Sequence, residues 1–134
     1  MNTFRDQRGV SLSGLLYACV LLGFAAIVVM RLFPLYNEKF KVDSALTHVT
    51  SQPLIGSQSA ADIVKTVLRD FEVSDMDRFE NPQSLSKVLK IERLSNGRGR
   101  RLHMAYEIRG PLFGPLDLVL KYDRQIEFAG ASDD

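Results

Sequence analysis

Residues 10–30 read VSLSGLLYACVLLGFAAIVVM, from Val10 to Met30, without one Asp, Glu, Lys, Arg or His. As a helix rising 1.5 Å per residue this run is roughly 31 Å long, against a hydrocarbon core of about 30 Å. Its Val, Leu, Ile and Phe residues each favour insertion by about 0.3–0.6 kcal/mol, roughly 5 kcal/mol together before small polar costs. A transmembrane helix over 10–30 is therefore expected, with the lipid bilayer as its first partner. A cleaved secretory signal would have an apolar region of about 7–15 residues and a small-x-small site. Here the run continues through Ile27-Val28-Val29-Met30, and no Ala-x-Ala follows. Leu16-Tyr17-Ala18-Cys19 has the outline of a lipoprotein box, but Tyr17 is bulky and much apolar sequence follows Cys19. Cys19 therefore reads as a small apolar residue at lipid depth.

Within the span, Ser11, Gly14, Ala18 and Ala25 recur at three, four and seven residues. That spacing puts small side chains on one helical side, where another helix can approach closely. The candidate partners are other membrane proteins or a second copy of the chain, although small residues are also simply common in membrane helices. Charge does not decide the orientation: Arg5 and Arg8 precede the run, while Arg31, Lys39 and Lys41 follow it.

The full chain has 134 residues, with 17 Lys and Arg against 16 Asp and Glu, for a net charge of +1. That length supports one small domain beside an anchor. The balanced charge excludes a protein built around a basic nucleic-acid surface. A single Cys excludes an intrachain disulfide or a multi-cysteine zinc site.

Arg8-Gly9-Val10-Ser11-Leu12, a basic leader ending in Gly before an apolar helix, resembles the processing site of type IV prepilins. Those proteins are cut after the Gly, which makes Gly9 and Val10 a candidate processing site and favours an N-terminus in the cytoplasm. Pilins usually carry a Glu at the fifth residue after the Gly, where this chain has Gly14. Over its whole length the chain resembles a different group. Gln7-Arg8-Gly9-Val10-Ser11, then Leu32-Phe33-Pro34-Leu35-Tyr36 with Phe40 and Val42, are similar to the opening of domain of unknown function family 4845. Val64 to Phe71 and Tyr106-Glu107-Ile108-Arg109-Gly110-Pro111-Leu112-Phe113 resemble its second half. The resemblance implies a small proteobacterial single-pass membrane protein with no established activity, and it supplies no catalytic residues.

Beyond the span, Leu35, Val42, Leu46 and Val49 continue a helical repeat over a membrane-proximal segment, 31–53, ended by Pro53 and Gly56. Pro34 is a candidate kink, or the point where one helix ends and the next begins. Phe33 and Tyr36 suit an interfacial belt, with Arg31 reaching head groups. A small α+β domain is expected over 54–128. Ser57 to Ser59 can cap a helix with Asp62 reaching back, and Ala60, Ile63, Val64, Val67, Leu68 and Phe71 form its apolar stripe. Three strands follow. Leu89 and Ile91 alternate with Lys90 and Glu92, and Asn96-Gly97-Arg98-Gly99 makes a turn. Leu102, Met104, Tyr106 and Ile108 alternate with polar neighbours, and Leu116, Leu118, Leu120 and Tyr122 alternate after Gly114-Pro115. The predicted fold is α+β: a long N-terminal transmembrane helix continuing outside the membrane, and an amphipathic helix packed on a three-stranded antiparallel meander. The expected tails are 1–9, cytoplasmic, and 129–134, flexible.

No nucleotide loop, HExxH, CxxC or GxSxG motif is present, so no cofactor, metal or small-molecule substrate is expected. His103 falls on the polar side of its strand, and His48 is an ordinary polar helix position. Asp75, Asp77 and Glu80 lack the spacing and central Gly of a calcium loop and read as a solvated turn. Arg98, Arg100 and Arg101 at a hairpin tip are a candidate contact for an anionic partner or head groups, or a turn that discourages edge pairing. Together these readings point to a non-enzymatic protein of the bacterial inner membrane with a periplasmic domain, acting as an accessory or scaffold for an envelope assembly. The alternative is a pilin-like or pseudopilin-like subunit processed after Gly9.

Overall fold

The computed structural model describes residues 9–130. Arg5, Arg8 and the rest of the expected cytoplasmic tail before Gly9, and residues 131–134 of the expected flexible tail, lie outside them. The element order is α1 (Leu12–Thr50), a 3₁₀ turn (Ile55–Ser57), α2 (Ala60–Val73), α3 (Pro82–Ser86), β1 (Leu89–Arg93), β2 (Gly99–Phe113) and β3 (Leu116–Ala129).

Helix α1 begins where Ser11, in extended backbone, accepts the Gly14 N–H on its Oγ, satisfying one of the orphan donors of the first turn. It then runs for 39 residues, about 58 Å, with Pro34 inside it. Proline removes the bond that the Met30 carbonyl would accept, yet the helix is not interrupted there. The span and the membrane-proximal segment are one element. Its two halves differ in surroundings. Residues 12–27 are exposed throughout, whereas Leu35, Val42, Ala45, Leu46 and Val49 are buried. The helix ends at Ser51, and Leu54 takes left-handed backbone (φ +71°) to redirect the chain.

Helix α2 starts from Ser59, whose Oγ accepts the Asp62 N–H at 3.1 Å and donates to Asp62 Oδ2 at 2.6 Å. Its stripe, Ile63, Val64, Val67, Leu68 and Phe71, is buried, while Ala60 is exposed in the first turn. The three strands form an antiparallel meander in the order β1-β2-β3. In register, Leu89 faces Met104, Tyr106 faces Tyr122, and Gly99 faces Ala129. Ala129, expected to begin the flexible tail, is thus the last residue of β3. The reason is steric as well as hydrogen-bonded: its carbonyl lies against Gly56, where a Cβ would come within 2.0 Å of that oxygen.

One sheet face carries Leu89, Leu102, Met104, Ile108, Tyr122 and Phe128, all buried against α2 and the second half of α1. The other face carries Lys90, Arg101, Glu107, Asp123 and Glu127. Phe71, Phe79, Tyr106 and Tyr122 form a chain of aromatic contacts through this core, with ring centroids 5.4–5.8 Å apart.

Candidate functional site

Three polar ties fix the outer half of α1 to the domain, at intervals of five residues. Glu38 accepts from Arg78 through both carboxylate oxygens and from Tyr106 Oη at 3.2 Å. Asp43 accepts from Tyr122 Oη and pairs with Arg124 Nη1 at 2.7 Å. His48 Nδ1 lies 2.8 Å from Asp70 Oδ2 on α2. Burial pushes the Asp43 carboxyl up, but the bonds from Tyr122 and Arg124, with Lys39 nearby, outweigh it and hold the group below its ordinary value. Burial also raises both phenols, reinforced by Glu38 at Tyr106 and by Asp43 at Tyr122. The Glu38 hydrogen bond raises Arg78 further. Each shift favours the form that makes these bonds: the ionised Asp43, the protonated Arg78 and the neutral phenols.

The side of α1 turned away from this core is different. Phe33, Tyr36 and Phe40, at intervals of three and four, are 72%, 54% and 72% exposed. At about 100° per residue Phe33 and Phe40 lie roughly opposite Leu35, Val42 and Leu46, while Tyr36 lies about 100° round from them, on the side of Asp43. Ala18 and Ala25 precede Tyr36 by eighteen and eleven residues, about five and three turns, and so lie on nearly the same side. Gly14 falls farther round, in line with Leu32 eighteen residues on, and its lack of a side chain accommodates the cap: a Cβ there would sit 3.1 Å from Ser11 Oγ. Ser11 itself is the N-cap, and Gly9 and Val10 are exposed, non-helical residues just before it. Among the described residues, α1 thus carries an exposed aromatic row at Phe33, Tyr36 and Phe40, with Ala18 and Ala25 on nearly the side of Tyr36 in the apolar half.

The Arg98, Arg100 and Arg101 cluster is split by the fold. Arg98 is exposed in the turn, Arg100 Nη1 donates to the Gln58 carbonyl, and Arg101 Nη2 pairs with Glu127 at 2.7 Å on the opposite sheet face. Successive strand residues point to opposite faces, so sequence adjacency does not make a basic patch. This turn also lies by the Thr50 end of α1, where Gly130 N–H donates to the Arg98 carbonyl. Twenty helical residues, about 30 Å, separate that end from Met30.

His103 Nε2 lies 2.8 Å from Asp123 Oδ1 on the open sheet face. Among the described residues, no three His, Cys, Asp or Glu side chains gather as a metal site requires, so Asp75, Asp77 and Glu80 do not converge. An open cleft of about 450 Å³ between α1 and the 75–78 turn is lined by Glu38, Lys41, Asp77 and Arg78, but its Glu38 and Arg78 are engaged with each other. Sequence reading missed Glu38 and Asp43, whose signal was a carboxylate inside an apolar repeat. It also missed Phe40 as part of an exposed stripe, since an aromatic at helical spacing is as readily a core residue.

By length and composition, α1 is the one helix among the described residues able to cross a membrane. No curated protein and no solved structure matches the chain. One family profile, a domain of unknown function (DUF4845), matches residues 31–122. The matched region starts just after the apolar run and takes in the outer half of α1, both shorter helices, β1, β2 and half of β3. It contains all three polar ties except Arg124. Covering well over half of the chain, this match shows that the protein belongs to the DUF4845 family.

Proposed function

We propose that this chain is a non-enzymatic, single-pass protein of the bacterial inner membrane, with its N-terminus in the cytoplasm and its domain in the periplasm. It would serve as an accessory or scaffold that binds another membrane protein, or a second copy of itself, along α1. The carrying observation is the exposed Phe33-Tyr36-Phe40 stripe, turned away from Leu35 and Val42, with Ala18 and Ala25 on nearly the side of Tyr36. Large exposed aromatics in one row mark an interaction surface, and small residues below them allow close helix approach in lipid. The polar ties support the same reading, because a helix held rigidly by its own domain presents one fixed face.

The test is a photo-crosslinking residue at Tyr36 or Ala18 of the full chain in its host membrane, with Glu92 on the sheet as control. A discrete adduct from both helix positions and none from Glu92 is expected, with the chain kept in the membrane pellet through alkaline carbonate. Release by carbonate, or no adduct from either helix position, would overturn the proposal. The pilin-like alternative draws on the exposure of Gly9 and Val10 before the Ser11 cap. An intact mass lacking residues 1–9 would select it.

A further inference from the structure

We propose that the tip of the β2–β3 hairpin, residues 111–116, dips into the headgroup–acyl boundary of the bilayer that α1 crosses, giving the chain a second membrane contact. This rests on the reading of α1 as a membrane span. Strand β2 runs antiparallel to the outer half of α1. Tyr106 bonds to Glu38, and Gly110 lies against Leu35, whose Cδ1 would be 2.5 Å from a Cβ at that glycine. Arg31 and Pro34 flank the same groove as Arg109 and Pro111. Each step along β2 therefore moves toward the apolar half of the helix. Three residues past Gly110, at about 3.3 Å each, advance the strand along the helix by at most roughly 10 Å, or about six residues of helix. That brings the tip to the stretch between Val28 and Leu32, where the apolar run ends.

Burial along α1 agrees with this placement. Val28 and Leu32, on the same side as Leu35, are half-buried, while Val29, Met30 and Phe33 beside them are exposed. On the sheet side Leu112, Leu118 and Leu120 are half-buried on the inward face. The hairpin end thus covers one side of α1 at membrane level.

Its outward surface is apolar. Residues 110–116 read GPLFGPL without a charge, and Phe113 and Leu116 are 57% and 59% exposed, with Val119 also exposed. In register Phe113 faces Leu116 across a tight turn, with Gly114 in left-handed backbone (φ +52°). A charge-free, exposed, aromatic turn is costly in water and suited to an interfacial layer. The charges begin just above it. Asp117 lies across from Pro111, and Arg109 and Arg31 sit where guanidinium groups reach lipid phosphates. The occupant is lipid rather than protein because the tip is continuous with the apolar surface of α1 at the same height.

The chain has no Trp, so single Trp reporters can be placed in the full-length protein in vesicles of phosphatidylcholine and phosphatidylglycerol. Phe113→Trp reports the tip, Phe24→Trp the span, and Ser95→Trp the exposed turn at the far end. Lipids brominated near the headgroup or near the acyl end serve as quenchers. Phe113→Trp should sit about 5–10 Å deep and lose more emission to the shallow bromine than to the deep one. Phe24→Trp should lose more to the deep bromine, and Ser95→Trp should lose emission to neither. If Phe24→Trp is quenched and Phe113→Trp is not, the tip proposal fails while the span stands. That includes a blue-shifted, unquenched Phe113→Trp, which would assign the tip to a protein contact. If Phe24→Trp is unquenched, the span reading fails and this proposal with it.

Discussion

Replacing Asp43 by Ala removes the acceptor of a buried phenol and the partner of Arg124 in one step. A hydrogen bond to a charged group contributes about 1.5–3 kcal/mol, and an orphaned buried donor costs about 1–3 kcal/mol. The Asp43 side chain is 31% exposed, so water can enter the gap and the lower half of each range applies. The Arg124 pair, exposed to a similar degree, adds less than about 1 kcal/mol. Asp43→Ala should therefore cost about 2–3 kcal/mol, and Tyr122→Phe about 1.5 kcal/mol. At about 4–8 °C per kcal/mol for a domain of this size, the Asp43→Ala melting temperature falls by roughly 10–20 °C. The double variant is the informative one. Both changes delete the same bond, so together they should cost about 2–3 kcal/mol, short of the sum by about 1.5 kcal/mol. The assay is thermal unfolding of the full chain in non-ionic detergent, followed by the near-ultraviolet dichroism of the core tyrosines. Tyr17, in the apolar half of α1, stays in the micelle and adds a constant baseline beneath the change from Tyr106 and Tyr122. Losses that add within about 0.5 kcal/mol would refute the tie between α1 and β3.

Two further outcomes follow from the packing and the protonation states. Gly56→Ala places a Cβ 2.0 Å from the Ala129 backbone oxygen, whereas Gly110→Ala places one 2.5 Å from the mobile end of Leu35. The first should cost at least the upper part of the ~1–3 kcal/mol overpacking range and the second clearly less; equal melting temperatures would contradict this. The phenols of Tyr106 and Tyr122 are raised in the folded state, so their contribution is complete below the unfolded value of about 10 and is lost as pH climbs past it. Asp43 is lowered, so its contribution is complete above about 3.9 and is lost as pH falls below. Unfolding midpoints against pH should show a plateau between these limits. Ionisation of every tyrosine in one absorbance step, with the fold intact, would count against it.

What was legible in the sequence is what repeats. The stripe of α2, the Leu35-Val42-Leu46-Val49 row and the alternation of Leu102 to Ile108 each announce a buried face through their period, and all three face the core. The second half of β3 was hidden by Arg124, a charge on the inward side between Tyr122 and Ile126. The fold accepts it because Asp43 meets its guanidinium, a contact 81 residues distant in sequence. Helix α3 is too short for a period, though Asn81 before Pro82, capping Ser84 N–H, is a local start signal. The arginine cluster looked like one site because its members are close in sequence, and strand alternation separated Arg100 from Arg101. The aromatic row on α1 was visible only in part, because which side of a helix is free depends on what occupies the other.

With α1 as the proposed membrane span, its unbroken course makes the anchor and part of the domain core a single helical spar. A flexible tether would let the domain sweep a volume above its anchor. Under that reading, the ties at Glu38, Asp43 and His48 would give the domain a set height and bearing about the helix axis. Bilayers of different thickness tilt a span by different amounts, and a spar converts that tilt into lateral displacement. With about 30 Å of helix outside, a tilt of about 10° carries the Gly56 end sideways by roughly 5 Å. The local thickness of the membrane would thereby decide where the far end of the domain stands.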